Sequence, residues 1–302
     1  MRVAINTGSK YASSAVSLLI GFFLTPFLLR HLGSDSLGLQ VIGMQALQFC
    51  MLIGNACSKG CSRFATVQYA RRDFKSMNRV LGRAFTLMLV IVAITACLVI
   101  VVTVFARELF GLEAQVLSSA RWVILIIAAG CIFDQCFGVL ESLLFMSQRF
   151  YLLDIAQISA RILAVTLVVI LARSGDLSVV GWVGVSVGAV VILKLLYVMP
   201  AALRSVPEAR LHLQLPWGPK FKEMAHFSFA SLFGTLGFLL YYASSSLVIA
   251  HVSSFGIGQV FQYNLGQRWD PQVRDLIMAY AAVLTPVFTT LHATGDTGSL
   301  RS

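Results

Sequence analysis

Charge is scarce in this sequence: Asp, Glu, Lys and Arg make up only 12% of its 302 residues, where soluble domains carry about 25%. Hydrophobic residues make up 58%, and that balance identifies an integral membrane protein rather than a soluble domain. Acids are the scarcest charges, 13 against 23 Lys and Arg. The resulting net charge of +10 does not call for nucleic acid, because basic residues gathered in short loops beside anionic lipid account for it. The six cysteines (Cys50, Cys57, Cys61, Cys97, Cys131 and Cys136) form no CxxC pair, so they carry no metal or redox signature and read as small apolar filler. No Walker-type phosphate loop and no HExxH occurs, and the chain is not expected to be an enzyme, to bind a metal or to need a cofactor. Arg2 and Lys10 precede an apolar run too long for a signal peptide, which predicts an uncleaved first span.

What is present is a series of apolar runs, each near the roughly 20 residues needed to cross a bilayer as a helix. The hydropathy pattern predicts an all-α protein of about eight spans: 11–31, 37–58, 84–106, 119–148, 151–172, 179–199, 225–250 and a final segment 256–292. The last is either one bent helix with a polar face or a shorter span over 276–291. The first two form a hairpin around the corner His31-Leu32-Gly33-Ser34-Asp35-Ser36-Leu37-Gly38. Pro26 bends the first. The second carries Gly43, Gln45, Gln48, Gly54 and Asn55, which suit close packing or a wet cavity.

Loop charge orients the chain. Between Lys59 and Arg83 lie seven basic residues and one acid, Asp73, so this segment is expected on the cytoplasmic side, as an interfacial helix or a solvated loop. The segments after the fourth and sixth spans are also basic, while those after the first, third, fifth and seventh are sparse. The alternation places the N-terminus inside.

The corner at His31–Gly38 has an echo in His251-Val252-Ser253-Ser254-Phe255-Gly256-Ile257-Gly258. Six spans separate the two, so both copies keep one orientation, as in the parallel repeats of two-lobed transporters. This predicts a six-helix N-terminal lobe over 1–224 and the first two helices of a second lobe over 225–302. By the repeat logic the second lobe is incomplete; a naturally short eight-helix protein is the alternative.

Ionisable groups at membrane depth are costly unless paired or wetted, which makes them candidates for function. Asp134 and Glu141 lie two turns apart on one helix face. Glu141 and Arg161 lie at similar distances either side of the turn at Arg149, which predicts a Glu141–Arg161 contact. That contact would either line a cavity or stitch two helices. Arg268, Asp270, Arg274 and Asp275 would face the second span across the cleft, where a guanidinium fork suits a diphosphate. Lys194 is expected to snorkel to the surface.

The stretch Asn6, Thr25-Pro26, Arg30-His31-Leu32-Gly33 and Leu37-Gly38 resembles the start of bacterial polysaccharide and O-antigen flippases. These belong to the multidrug/oligosaccharidyl-lipid/polysaccharide exporter superfamily. The segment 60–64, Gln148-Arg149-Phe150, Tyr263-Asn264-Leu265 and Thr285-Pro286 are similar to it as well. The resemblance implies a flippase that moves undecaprenyl-diphosphate-linked oligosaccharide across the bacterial inner membrane for O-antigen, capsule or exopolysaccharide synthesis. Its partners would be the lipid-linked oligosaccharide, membrane lipids and polysaccharide assembly proteins. Pro26, Gly33, Gly38, Gly258 and Pro286 would be structural motif positions. The alternatives are an ion-coupled multidrug antiporter of the same superfamily, with Asp134 as coupling acid, and an inactive membrane fragment or scaffold.

Overall fold

The computed structural model describes residues 2–111, 114–215, 219–251 and 256–267. Their regular structure is helical throughout: α1 (Arg2–Ala70), α2 (Phe74–Val104), α3 (Ala106–Phe110), α4 (Ala114–Met146), α5 (Tyr151–Ser174), α6 (Val179–Leu193), a π-helical turn (Lys194–Val198), α7 (Met199–Ser205), α8 (Pro219–His251) and α9 (Gly256–Gln267). Among the described residues six helical segments are long and apolar enough to span a membrane. The first is two arms joined at Gly33, whose φ of 78° and ψ of 167° reverse the chain. That conformation is open to glycine and strained for any residue with a Cβ. The two arms line one cavity, so the expected hairpin is present. Most of the expected final span, including Pro286, lies outside the described residues.

Of the two forms expected for the basic segment 59–83, the structure shows helix rather than loop. Helix continues to Ala70, a corner of three residues follows, and helix resumes at Phe74. Arg72 takes the left-handed conformation (φ 57°), and the Asp73 carboxylate caps α2 by accepting from the Ser76 N–H at 3.0 Å. Lysine and arginine are good helix formers, so polarity ends the membrane span here without ending the helix. The 31 residues of α2 extend about 46 Å, well beyond a hydrocarbon core of about 30 Å. Similarly, the helix of the sixth expected span, 179–199, runs on past Pro200. Pro200 lies inside the continuous helical segment Val179–Ser205, just after the π-helical turn Lys194–Val198, and the helix ends at Ser205, followed by a turn over 207–208.

The N-terminal arm of α1 runs parallel to α5, with polar rungs ascending both. Asn6 Nδ2 donates to the Gln148 carbonyl at 2.9 Å, and Asn6 Oδ1 accepts from the Tyr151 N–H at 3.2 Å. Ser9 Oγ donates to Asp154 Oδ2 at 2.7 Å, and Arg161 Nη1 donates to the Ser13 carbonyl at 3.3 Å. One apolar core joins α1, α2, α4 and α7 through Met77, Leu81, Met88, Leu143 and Leu144. A second joins α1, α4, α5 and α6 through Leu47, Val123, Ile127, Val168 and Val183. Helix α8 packs along the second arm of α1. At the start of α9, Gly38 lies against the Ile257 backbone with no room for a Cβ, and Gly258 lies against the side chains of Ser34 and Asp35. The two similar corners therefore meet each other almost reciprocally.

Candidate functional site

A cavity of about 500 Å³ opens between the two arms of α1, α5, α6 and α9. The first arm contributes Ser17, Gly21 and Thr25, the second Gln40, Gln45 and Gln48, and α9 contributes Phe261, Asn264 and Leu265. Trp182 of α6 closes one side, its indole N–H donating to Gln40 Oε1 at 2.9 Å. Gln45 Oε1 is buried and has no hydrogen-bond partner among the described residues. Among the described residues the one charged side chain on this wall is Arg161, whose guanidinium makes a single long bond to Ser13. Pro26 lies beside this wall, and Thr25 donates to the Gly21 carbonyl at 2.6 Å within the same turn.

A second polar cluster lies deep between α4 and the π-turn. Lys194 Nζ is 2.7 Å from Glu141 Oε1 and 3.0 Å from Asp134 Oδ1, and it stands 5.7 Å above the Phe137 ring. Lys194 is only 8% exposed, so it does not snorkel. The seven-residue spacing of the two acids sets them one above the other, and one ammonium spans both. Two carboxylates on one ammonium leave the cluster one positive charge short. The Asp134 side chain is 42% exposed, so it is the accessible member.

The expected Glu141–Arg161 contact is therefore replaced by Glu141–Lys194. Helix α5 packs on α1 and α6 and barely touches α4, so helices adjacent in sequence are not neighbours at this depth. A third cluster, unforeseen in sequence, holds Asp154 at 1% exposure between Ser9 and Lys10, with Lys10 Nζ at 3.2 Å. Arg268, Asp270, Arg274 and Asp275 lie outside the described residues. No group of three or more potential metal ligands occurs among the described residues.

The chain does contain one hydrolase-like spacing, Gly184-Val185-Ser186-Val187-Gly188, which matches GxSxG. It lies in the middle of α6, where Ser186 Oγ donates back to the Trp182 carbonyl at 2.8 Å. The strand-to-helix elbow that exposes such a serine in hydrolases is absent from this helix.

Comparison with known proteins agrees with this architecture. The fold matches the DinF-BH MATE multidrug transporter, solved in complex with a ligand (TM-score 0.75, 17% identity, 97% of this chain and 65% of that one). It also matches an outward-facing multidrug resistance MATE family transporter of the MOP superfamily (0.73, 15%, 97% and 65%). A third match is the Vibrio cholerae transporter VcmN in its bent form (0.68, 15%, 99% and 69%). The chain thus spans about two thirds of the length of these transporters. No curated protein matches it in sequence. The MatE family pattern covers residues 12–170, more than half of the chain and nearly all of the α1 and α5 segments that build the cavity wall; the chain belongs to the MatE family of membrane transporters.

Proposed function

We propose that this protein is an ion-coupled multidrug exporter of the MatE family. The observation that supports this reading most is the match over 97% of the chain to a MATE multidrug transporter solved with a ligand bound. The 500 Å³ cavity is of a size that suits a drug-like amphiphile. Coupling would fall to the Asp134–Glu141–Lys194 cluster, where a coupling cation would supply the missing positive charge at the accessible carboxylate. The protein would sit in a bacterial plasma membrane with its N-terminus and basic corners on the cytoplasmic side. In cells lacking their own dye exporters, expression should lower accumulation of cationic dye, and Asp134→Asn should abolish the effect. Unchanged accumulation in both would sink this reading.

A flippase for lipid-linked oligosaccharide is the second reading, favoured by the cavity's own chemistry. Its charge among the described residues is the cation Arg161, and its amides Gln40, Gln45, Gln48 and Asn264 suit sugar hydroxyls. That function would bring in polysaccharide assembly proteins as partners. Deleting the gene should then abolish surface polysaccharide while lipid-linked units accumulate. Arg161→Gln separates the readings, because it should cripple flipping of an anionic lipid and leave efflux of a cationic dye in place.

A further inference from the structure

Beyond the cavity, the chain turns at 207–208 and then runs to Leu215 as a strap along the first turns of α2. Asn78 Nδ2 donates to the Glu208 carbonyl at 2.9 Å, and Asn78 Oδ1 accepts from the Arg210 N–H at 2.9 Å. Gly82 lies against the His212 carbonyl with no room for a Cβ, and Thr86 Oγ1 accepts from the Gln214 N–H at 3.1 Å. The docking positions on α2 recur every four residues and those on the strap every two. Four helical residues rise about 6.0 Å and two extended ones about 6.6 Å, so the two ladders stay in step.

The strap climbs α2 from its basic tip towards the apolar span that follows Arg83. At the top of the climb Leu213 and Leu215 are 68% and 84% exposed. One residue on from the docking line, α2 carries Lys75, Arg79 and Arg83, again four apart. Of these, the Arg83 Nε is buried and has no hydrogen-bond partner among the described residues. Asp73 is engaged in capping α2, and the Glu208 contact with Asn78 is made through its carbonyl.

We infer that this face binds the headgroup of an anionic phospholipid from the leaflet at the basic end of the bundle. Its phosphate lies between Arg79 and Arg83, and its acyl chain lies over Leu213 and Leu215. Arginine forks suit phosphate oxygens, an orphaned guanidinium N–H gains an acceptor, and the leucines enter the hydrocarbon just above. Charge complementarity selects an anionic lipid over a zwitterionic one. The strap connects α7 to α8, so an occupied site clamps that connection to α2.

The test uses the full chain in nanodiscs, with retained lipid counted by native mass spectrometry from mixtures of phosphatidylglycerol and phosphatidylcholine. Arg79→Gln/Arg83→Gln should lower phosphatidylglycerol retention at least roughly tenfold, the loss expected when a hydrogen bond between charged partners is removed. Leu213→Ser/Leu215→Ser should lower it too, while Lys59→Gln/Arg72→Gln at the same end should not. Inorganic phosphate should not compete. Equal loss in the Lys59/Arg72 control, full retention in the Arg79/Arg83 variant or competition by free phosphate would overturn the site. Unfolding in pure phosphatidylcholine discs, unchanged among the variants, separates a lost site from a lost fold.

Discussion

Lys194 is the residue on which the stability of the α4–α6 packing turns. Its ammonium holds Asp134 and Glu141 together at 8% exposure, so removing it leaves two facing carboxylates without a cation. Removing one partner leaves uncompensated charge, and the partial exposure of the Asp134 and Glu141 side chains, 42% and 24%, holds the cost to about 1–3 kcal/mol. Lys194→Met should therefore lower the unfolding midpoint in detergent sharply, Glu141→Gln should lower it less, and Asp134→Asn/Glu141→Gln/Lys194→Met should recover much of the loss. A triple variant as unstable as Lys194→Met would show that packing around the aliphatic stem matters rather than charge. Gly33 makes a separate residue-scale prediction. Its φ of 78° and ψ of 167° lie where a Cβ costs roughly 1–3 kcal/mol, so Gly33→Ala should destabilise the chain by that amount in urea-dependent proteolysis.

Between elements, the polar rungs that align α1 with the start of α5 are few, and Asn6 supplies two of them, to Gln148 and Tyr151. Asn6→Ala should cost about 2 kcal/mol, since two hydrogen bonds are lost and a backbone carbonyl and N–H lose their partner. Hydrogen exchange should then quicken at Tyr151, with little change at Thr95 in α2. Most of these elements can be read from the sequence, because apolar runs of span length and the glycine at the corner leave few alternatives. The boundaries at Ala70 and Val206 could not be read that way. Hydropathy reports where lipid ends, and Lys- and Arg-rich sequence continues a helix in water as readily as within a protein. Nor could the partner of Glu141. Chain order placed α4 beside α5, but α6 intervenes, and the π-turn that aims Lys194 leaves no hydropathy signal. The glutamines at 45 and 48 did mark the cavity wall, being amides where a lipid-facing helix has none. Trp182 and Gln40 look unremarkable until their helices cross.

Across the whole molecule, the corners at Gly33–Gly38 and Ile257–Gly258 pack on each other, and Leu37 and Phe261 beside them line the cavity. A Cβ placed on Gly258 would lie 3.3 Å from the Ser34 Cβ, near the 3.5–4.5 Å span of a disulfide. Ser34→Cys/Gly258→Cys should therefore cross-link under mild oxidation, seen as a mobility shift that dithiothreitol reverses. Failure to cross-link would mean that the corners are apart in the membrane. If they must part for solute to leave, the oxidised variant should not transport and the reduced one should.

The carrier reading itself is tested most directly with purified chain in proteoliposomes, following a cationic dye under an imposed ion gradient. The account predicts dye movement that follows the gradient, stops in Asp134→Asn and persists in Arg161→Gln. Dye movement indifferent to the gradient, or unchanged when Asp134 is replaced, would contradict it.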